Sequence, residues 1–345
     1  MSLAEVVTMS HQRFFCVTAL GLGLFLTGGV LNGASQARPT EPSKHTLDPM
    51  ALRHLAAQVA LDRVNFSPGE LDAAVGSNTK RALAAFQKSK QLPDTGEVDD
   101  RTATALGDGF TTPLVDYVIT GADVAGPFVE NMPDDMMKKS ELPAMSYVST
   151  LELLGERFHA SPKLLQRLNP DARFAEGETM RVPNVIPFEM NAKGSPTKPA
   201  SAAVNAKTAN AHFVTVTGET MTLTVQDATG GVVFQAPVTV GSENDPLPVG
   251  EWKVNSVSLN PPFNYNPALF WDADPSHAKA KIAPGPNNPV GVAWIDLSKE
   301  HYGIHGTPEP SRVGHTESHG CIRLTNWDVM RLTTFVAPGS KVVLR

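Results

Sequence analysis

Residues 212–235 read HFVTVTGETMTLTVQDATGGVVFQ, and their period decides the fold of the C-terminal part of the chain. Phe213, Val214 and Val216, then Leu223 and Val225, then Val232, Val233 and Phe234 form short apolar runs, broken by Gly218 and Gly230-Gly231. Short runs rich in β-branched and aromatic residues between glycine turns are the signature of strands. Further runs follow at Trp252–Val257, Val292–Ile295, Ile304 and Val342–Leu344. One helix interrupts them, from Trp327 to about Phe335, entered through Thr325-Asn326-Trp327-Asp328 and left through Pro338-Gly339. Residues 211–345 are therefore expected to form a mainly β domain of catalytic size.

Upstream, residues 191–210 (NAKGSPTKPASAAVNAKTAN) lack bulky apolar side chains and read as a flexible tether. Residues 145–187 read as strand, helix, helix, strand. Tyr147-Val148 is extended, and Thr150 caps a helix bearing Leu151, Leu154 and Phe158. Ser161-Pro162 opens a second with Leu164, Leu165 and Leu168, and Glu178–Pro183 closes the unit. With its Leu168-Asn169-Pro170 stop and its Gly177…Val182-Pro183 ending, this segment resembles a LysM domain, which implies affinity for N-acetylglucosamine-containing glycans. Residues 108–144 carry many Pro, Gly and Asp and no sustained period, so they read as a connector.

Residues 49–107 have a helical period, with Leu52, Leu55, Ala56 and Val59 on one face and Leu83 and Phe86 on another. Asn78 and Asp99 are candidate N-caps. The Ala85-Phe86-Gln87 and Thr95-Gly96-Glu97-Val98-Asp99 stretches resemble the peptidoglycan-binding type 1 domain, a small helical bundle. Residues 1–37 read as a cleavable signal peptide: Arg13, the apolar run Phe14–Leu31, and small residues Ser35 and Ala37 at the exit. That implies export to a periplasm or cell envelope.

Composition narrows the function. Lys plus Arg number 29 against 35 Asp plus Glu, a net charge of −6, and no basic run is present to grip nucleic acid. The chain has two Cys, so no disulfide scaffold or CxxC zinc ribbon can form. Removal of residues 1–37 would take Cys16 with them and leave Cys321 alone.

Cys321 lies in Ser318-His319-Gly320-Cys321-Ile322-Arg323, downstream of His305-Gly306-Thr307. A thiol near pKa ~8.5 is only slightly ionised at neutral pH, and an imidazole in reach can take its proton and later return it to a leaving amine. Both His305, at a strand end, and His319, two residues from the Cys, are candidates for that base. Gly320 clears space beside the nucleophile, so the N–H groups of Gly320 and Cys321 can face an oxyanion.

The pattern resembles the YkuD-type L,D-transpeptidase signature, over about residues 211–345. Carried across by position, the resemblance implies Cys321 as nucleophile, His305 as proton donor and acceptor, and the Gly306 carbonyl as the group orienting the ring. His319 and Gly320 would shape the oxyanion site, and Ser318 and Arg323 would meet substrate. Arg323 stands where the family motif is usually written with Asn, and the 305–318 loop is shorter than usual. The implied reaction is a two-step acyl transfer from a tetrapeptide stem of peptidoglycan, through a Cys321 thioester, to an amine of another stem or of an outer-membrane protein. It needs no cofactor or metal. The expected fold class is multidomain: a small α-helical bundle, a small α+β LysM-like domain, and a mainly β, YkuD-like β-sandwich with one C-terminal helix.

Rival readings use the same residues. An L,D-carboxypeptidase would pass the acyl group to water, and a wall-binding adaptor would use the N-terminal modules alone. His301, His305, His315, His319 and Cys321 can be read as zinc ligands, but without HExxH or CxxC spacing. Ser318 lacks a GxSxG elbow. Trp252, Trp271, Trp294 and Phe270 read first as core and only second as a sugar platform, and His277, His301 and His315 as solvated loop residues.

Overall fold

The computed structural model describes residues 47–191, 195–197 and 212–345. The signal-peptide reading of 1–37 and most of the tether at 191–210 lie outside the described residues.

The first helices follow their caps. The Asp48 carboxylate accepts the N–H groups of Met50 and Ala51 and starts α1 (Pro49–Arg63). After α2 (Ser77–Ser89), Asp99 caps α3 (Asp100–Leu106) through Thr102 N–H, and α4 (Asp108–Thr111) follows. Leu61, Phe66, Leu83, Phe86 and Leu106 form the core of this region. Buried Gln87 accepts from Gly96 N–H and donates to the Glu97 carbonyl and the Thr102 hydroxyl, which ties the turn at 95–97 to α2. Asn78 is not a cap; Gly76 occupies that position, and the Asn78 amide donates 2.8 Å to the Val313 carbonyl in the C-terminal domain.

The segment read as a connector contains β1 (Leu114–Val118), α5 (Gly121–Val124) and α6 (Met136–Ser140). The expected helices are present as α7 (Thr150–Arg157) and α8 (Pro162–Leu168), capped by Ser149 and Ser161. β2 (Thr179–Pro183) pairs antiparallel with β1, Leu114 opposite Pro183, and not with Tyr147-Val148. Residues 145–148 have other partners. Met145 N–H donates to the Pro284 carbonyl, its own carbonyl accepts from Asn287, and Val148 N–H donates to the Glu152 carboxylate.

From residue 213 onward the strands join one curled mixed sheet, and not the two face-to-face sheets of a sandwich. They are β3 (Phe213–Thr217), β4 (Thr222–Gln226), β5 (Val232–Pro237), β6 (Gly250–Leu259), β9 (Ala293–Leu297), β10 (Gly303–His305), β11 (Ile322–Arg323) and β12 (Lys341–Leu344). Their order is β11-β10-β9-β6-β12-β3-β4-β5. β6 is ten residues long and serves two neighbours, β12 with its first half and β9 with its second, across a register shift between Val254 and Ser256. A bulge of this kind bends a strand and adds twist, which curls the sheet. β7 (Phe263–Tyr265) and β8 (Ala280–Ile282) form a separate hairpin.

Alternation along the strands buries Val214, Val216, Leu223, Val225, Ile295, Leu297, Ile304 and Ile322, and the C-terminal helix α9 (Asn326–Leu332) adds Trp327, Val329, Met330 and Leu332. Thr325 caps α9 by accepting Asp328 N–H, while the Asp328 carboxylate accepts the Thr325 hydroxyl. Polar groups join α1 to α9. Fully buried Asp62 meets Arg331 at 3.1 Å and His159 at 3.0 Å, and the Ser67 hydroxyl donates to Asp328 at 2.8 Å. Among the described residues no helix is long and apolar enough to cross a membrane.

Candidate active site

β10 and β11 are parallel neighbours, with Ile304 opposite Ile322 and His305 opposite Arg323. Ile304 and Ile322 point into the core, so the flanking residues Gly303, His305, Cys321 and Arg323 share the other face. The sheet thereby brings imidazole, thiol and guanidinium to one side, with the thiol displaced two residues toward the Gly303 end.

His305 is 3% exposed. Its Nδ1 lies 2.6 Å from the Gly306 carbonyl oxygen, which can only accept, so Nδ1 carries the proton and Nε2 the lone pair. The Trp294 indole stacks on the ring at 5.4 Å and 16°. Burial first, then the Arg323 charge, push His305 down to about 3, against a partial rise from the Gly306 bond. The ring is therefore a neutral base with a free Nε2 near neutral pH.

The Cys321 thiol is partly buried, with Sγ 3.8 Å from the His301 carbonyl oxygen. Among the described residues no hydrogen bond joins Sγ to His305. Burial pushes the thiol up from its ordinary value; the Gly303 N–H and the Arg323 charge oppose that rise, and Asp245 adds to it. The resting pair is thus a neutral thiol and a neutral imidazole. Alkylation of Cys321 by iodoacetamide should accordingly rise about tenfold per pH unit from pH 6 to 8. A rate flat across that range would mean a standing thiolate–imidazolium pair.

Gly320 has φ +97°, and a Cβ there would lie 2.9 Å from the Tyr302 ring, so this turn requires glycine. Among the described residues the Gly320 N–H makes no hydrogen bond. A Cβ on Gly306 would lie 2.2 Å from Asn326 Oδ1, because the α9 side chain packs directly under the His305 strand end.

Two of the expected site residues have packing partners of their own. Ser318 is buried and donates its hydroxyl to the Cys321 carbonyl at 2.7 Å, so it braces the nucleophile's backbone. The His319 ring is held by Asp272 at 2.8 Å and packs against Phe270 and Trp271 of the β7–β8 hairpin. Arg323 makes no side-chain hydrogen bond or ion pair among the described residues, and its Nε is buried without a partner. Burial pulls it below its ordinary value, and Cys321 and Glu309 pull it back.

The remaining histidines spread out: His301 toward Glu300, His315 toward Asn78, and His277 between Tyr265 and Asp135, which makes it a bracing residue and not a solvated one. Among the described residues no group of three His, Cys, Asp or Glu side chains is placed to hold a metal ion. Nor do the aromatic residues share one platform. Trp294 covers His305, Trp252 bonds the Pro248 carbonyl, and Trp271 stands exposed on the hairpin. Trp294, Tyr302 and Asn326 had no role at the site in the sequence reading: Trp294 read as core or platform and Asn326 as part of a helix start. Trp294 alone had a signal, since it alternates with the buried positions of β9.

A cysteine and a buried, tautomer-locked histidine thus share one face of the sheet. Residues 211–344 match the L,D-transpeptidase catalytic domain (YkuD), and residues 55–106 match the family described as "Putative peptidoglycan binding domain". The chain carries an L,D-transpeptidase catalytic domain, of a cysteine-dependent enzyme family, behind an N-terminal domain of that second family. It is 30% identical over 131 residues to "Putative L,D-transpeptidase YkuD" of Bacillus subtilis, covering 38% of this chain and 63% of that protein. A protein of the same description from Bacillus licheniformis is 51% identical over 59 residues, 17% of this chain and 36% of the relative. The chain thus spans less than two thirds of either relative. Among solved structures, an L,D-transpeptidase from Mycobacterium smegmatis is similar at 18% identity and TM-score 0.32, covering 39% of this chain and 58% of that one.

Proposed function

We propose that this protein is an exported peptidoglycan L,D-transpeptidase that acts in the cell envelope. The reading rests above all on the free Nε2 of His305, whose other nitrogen is bound to Gly306, on the face that also carries Cys321. His305 Nε2 takes the thiol proton as Sγ attacks the carbonyl of the L-centre of a tetrapeptide stem's third residue. The oxyanion forms against the Gly320 and Cys321 N–H groups. His305 then protonates the departing D-Ala amine, leaving a thioester on Cys321. An incoming amine attacks that thioester, gives its proton to His305, and regenerates the thiol. Arg323, without a partner of its own, pairs with a substrate carboxylate.

The 55–106 domain keeps the enzyme on the wall, and the unit of β1, α7, α8 and β2 is a second, LysM-like glycan contact. Incubation of the full chain with purified disaccharide-tetrapeptide should yield 3→3 dimers with loss of D-Ala, read by mass. Tripeptide alone, without dimer, would reassign the protein as an L,D-carboxypeptidase.

A further inference from the structure

Asn326 opens α9 and is fully buried beneath the end of the His305 strand. Its amide is wedged between two glycines, since neither Gly291 nor Gly306 has room for a Cβ against Asn326 Oδ1. Oδ1 accepts the Val292 N–H at 3.1 Å. Nδ2 donates to the Pro286 carbonyl at 3.1 Å and to Glu156 Oε1 at 2.6 Å. Both ends of the amide are therefore engaged, and they cannot exchange places without losing all three bonds.

Glu156 comes from α7, 170 residues away in sequence. It is 9% exposed, and the Tyr147 hydroxyl bonds the same carboxyl. The neighbouring segment fixes the second acceptor of the amide as well. Met145 N–H donates to the Pro284 carbonyl, and the Asn287 amide donates to the Ser146 carbonyl at 3.0 Å and to the Glu152 carboxylate at 3.2 Å, on either side of Pro286. Residues 145–156 thus decide where the Asn326 amide sits, although they lie ahead of the catalytic domain in the chain.

We propose that Glu156 is a positioning residue for the His305 base, acting through Asn326 and the Gly306 turn. The assignment rests on the role given to His305 above. Gly306 packs on Asn326 Oδ1, and its own carbonyl, 2.6 Å from His305 Nδ1, selects the ring's tautomer. A ring whose orienting acceptor moves away spends part of its time in the other tautomer, with no lone pair on Nε2 for the thiol proton. Without the Glu156 oxygen one buried N–H of Asn326 is unpaired, and the amide turns or shifts to recover a partner. Either movement carries the Gly306 carbonyl with it. Burial pushes Glu156 up to about 8, so the acid holds its proton near neutral pH, and its reach rather than its charge supplies the contact.

Two substitutions separate reach from charge. Glu156→Gln keeps an oxygen at the same distance, and Glu156→Asp keeps the acid but withdraws it by one methylene. In the full chain labelled with 15N-histidine at pH 7, the His305 ring signals are those absent from His305→Gln. They should show the Nδ1–H form alone in the parent and in Glu156→Gln, and a mixture of both tautomers in Glu156→Asp. Acylation by the tetrapeptide stem should follow suit: Glu156→Gln close to the parent, and Glu156→Asp about ten- to hundredfold lower in kcat with KM little changed. A brace that served stability alone would lower the urea midpoint and leave the tautomer as it is. The Nδ1–H form intact in Glu156→Asp, or equal losses in the Gln and Asp variants, would overturn the assignment. Tautomer mixing in Glu156→Asp beside a parent that fails to acylate would uphold the coupling and overturn the transpeptidase reading instead.

Discussion

Cys321→Ala is expected to abolish formation of an acyl-enzyme, and His305→Gln to slow it by about 10²- to 10⁴-fold. The two differ because of what each supplies. Without the thiol no thioester bond can form, and Ser318 is no substitute, since its hydroxyl is spent on the Cys321 carbonyl. Without the imidazole, attack depends on the small thiolate fraction that burial allows. Gln is the better replacement than Ala at 305, because the ring is buried under Trp294 and truncation would leave a cavity. The Gln variant should regain part of its rate as pH rises toward 10 and bulk water ionises the thiol. Wild-type acylation should not show an acid limb from His305 until far below pH 6, because that ring is pushed down to about 3.

Asp62→Ala should be the most destabilising single change outside the sheet core, by about 3–5 kcal/mol. Burial opposes the Asp62 charge, but Arg331 and His159 hold the carboxyl well below its ordinary value. Removing it strands the Arg331 guanidinium, itself buried on α9, 269 residues away in sequence. The loss should come from that stranded charge more than from the vanished attraction. Arg331→Met added to Asp62→Leu should therefore recover much of the stability in urea titrations. The sign with pH follows: a depressed carboxyl stabilises fully above its unfolded value near 3.8, and that contribution fades as pH falls further. Equal loss in the single and double variants would show that the pair itself, and not desolvation, holds α1 to α9.

Much of this was legible in the residues. The period-two runs after residue 212 located the strands, because alternation reports which face is buried. Thr325 and Asp99 announced their helices, because cap chemistry is local. Neighbours in a sheet are not local, and β12 inserts between β6 and β3 only once the chain has closed. That insertion makes one sheet where the resemblance implied a sandwich. β1 was hidden because five extended residues between Pro113 and the Gly121 turn offer too short a pattern.

In the site, the His-Gly and Ser-His-Gly-Cys stretches were visible as chemistry. The roles of Ser318 and the His319 ring were not, since a side chain's partner depends on packing. Asp272 reaches His319 from 47 residues away. Asn326 was read as part of a helix start, yet it spans Val292, Pro286 and Glu156 beneath Gly306.

The most direct measurement is the intact mass of the enzyme after brief exposure to a tetrapeptide stem, with peptide mapping of any adduct. Capture of the stem less its terminal D-Ala on the peptide holding Cys321, and none on Cys321→Ala, is the predicted result. An unmodified protein that still consumes the stem, or an adduct on another residue, would contradict the account.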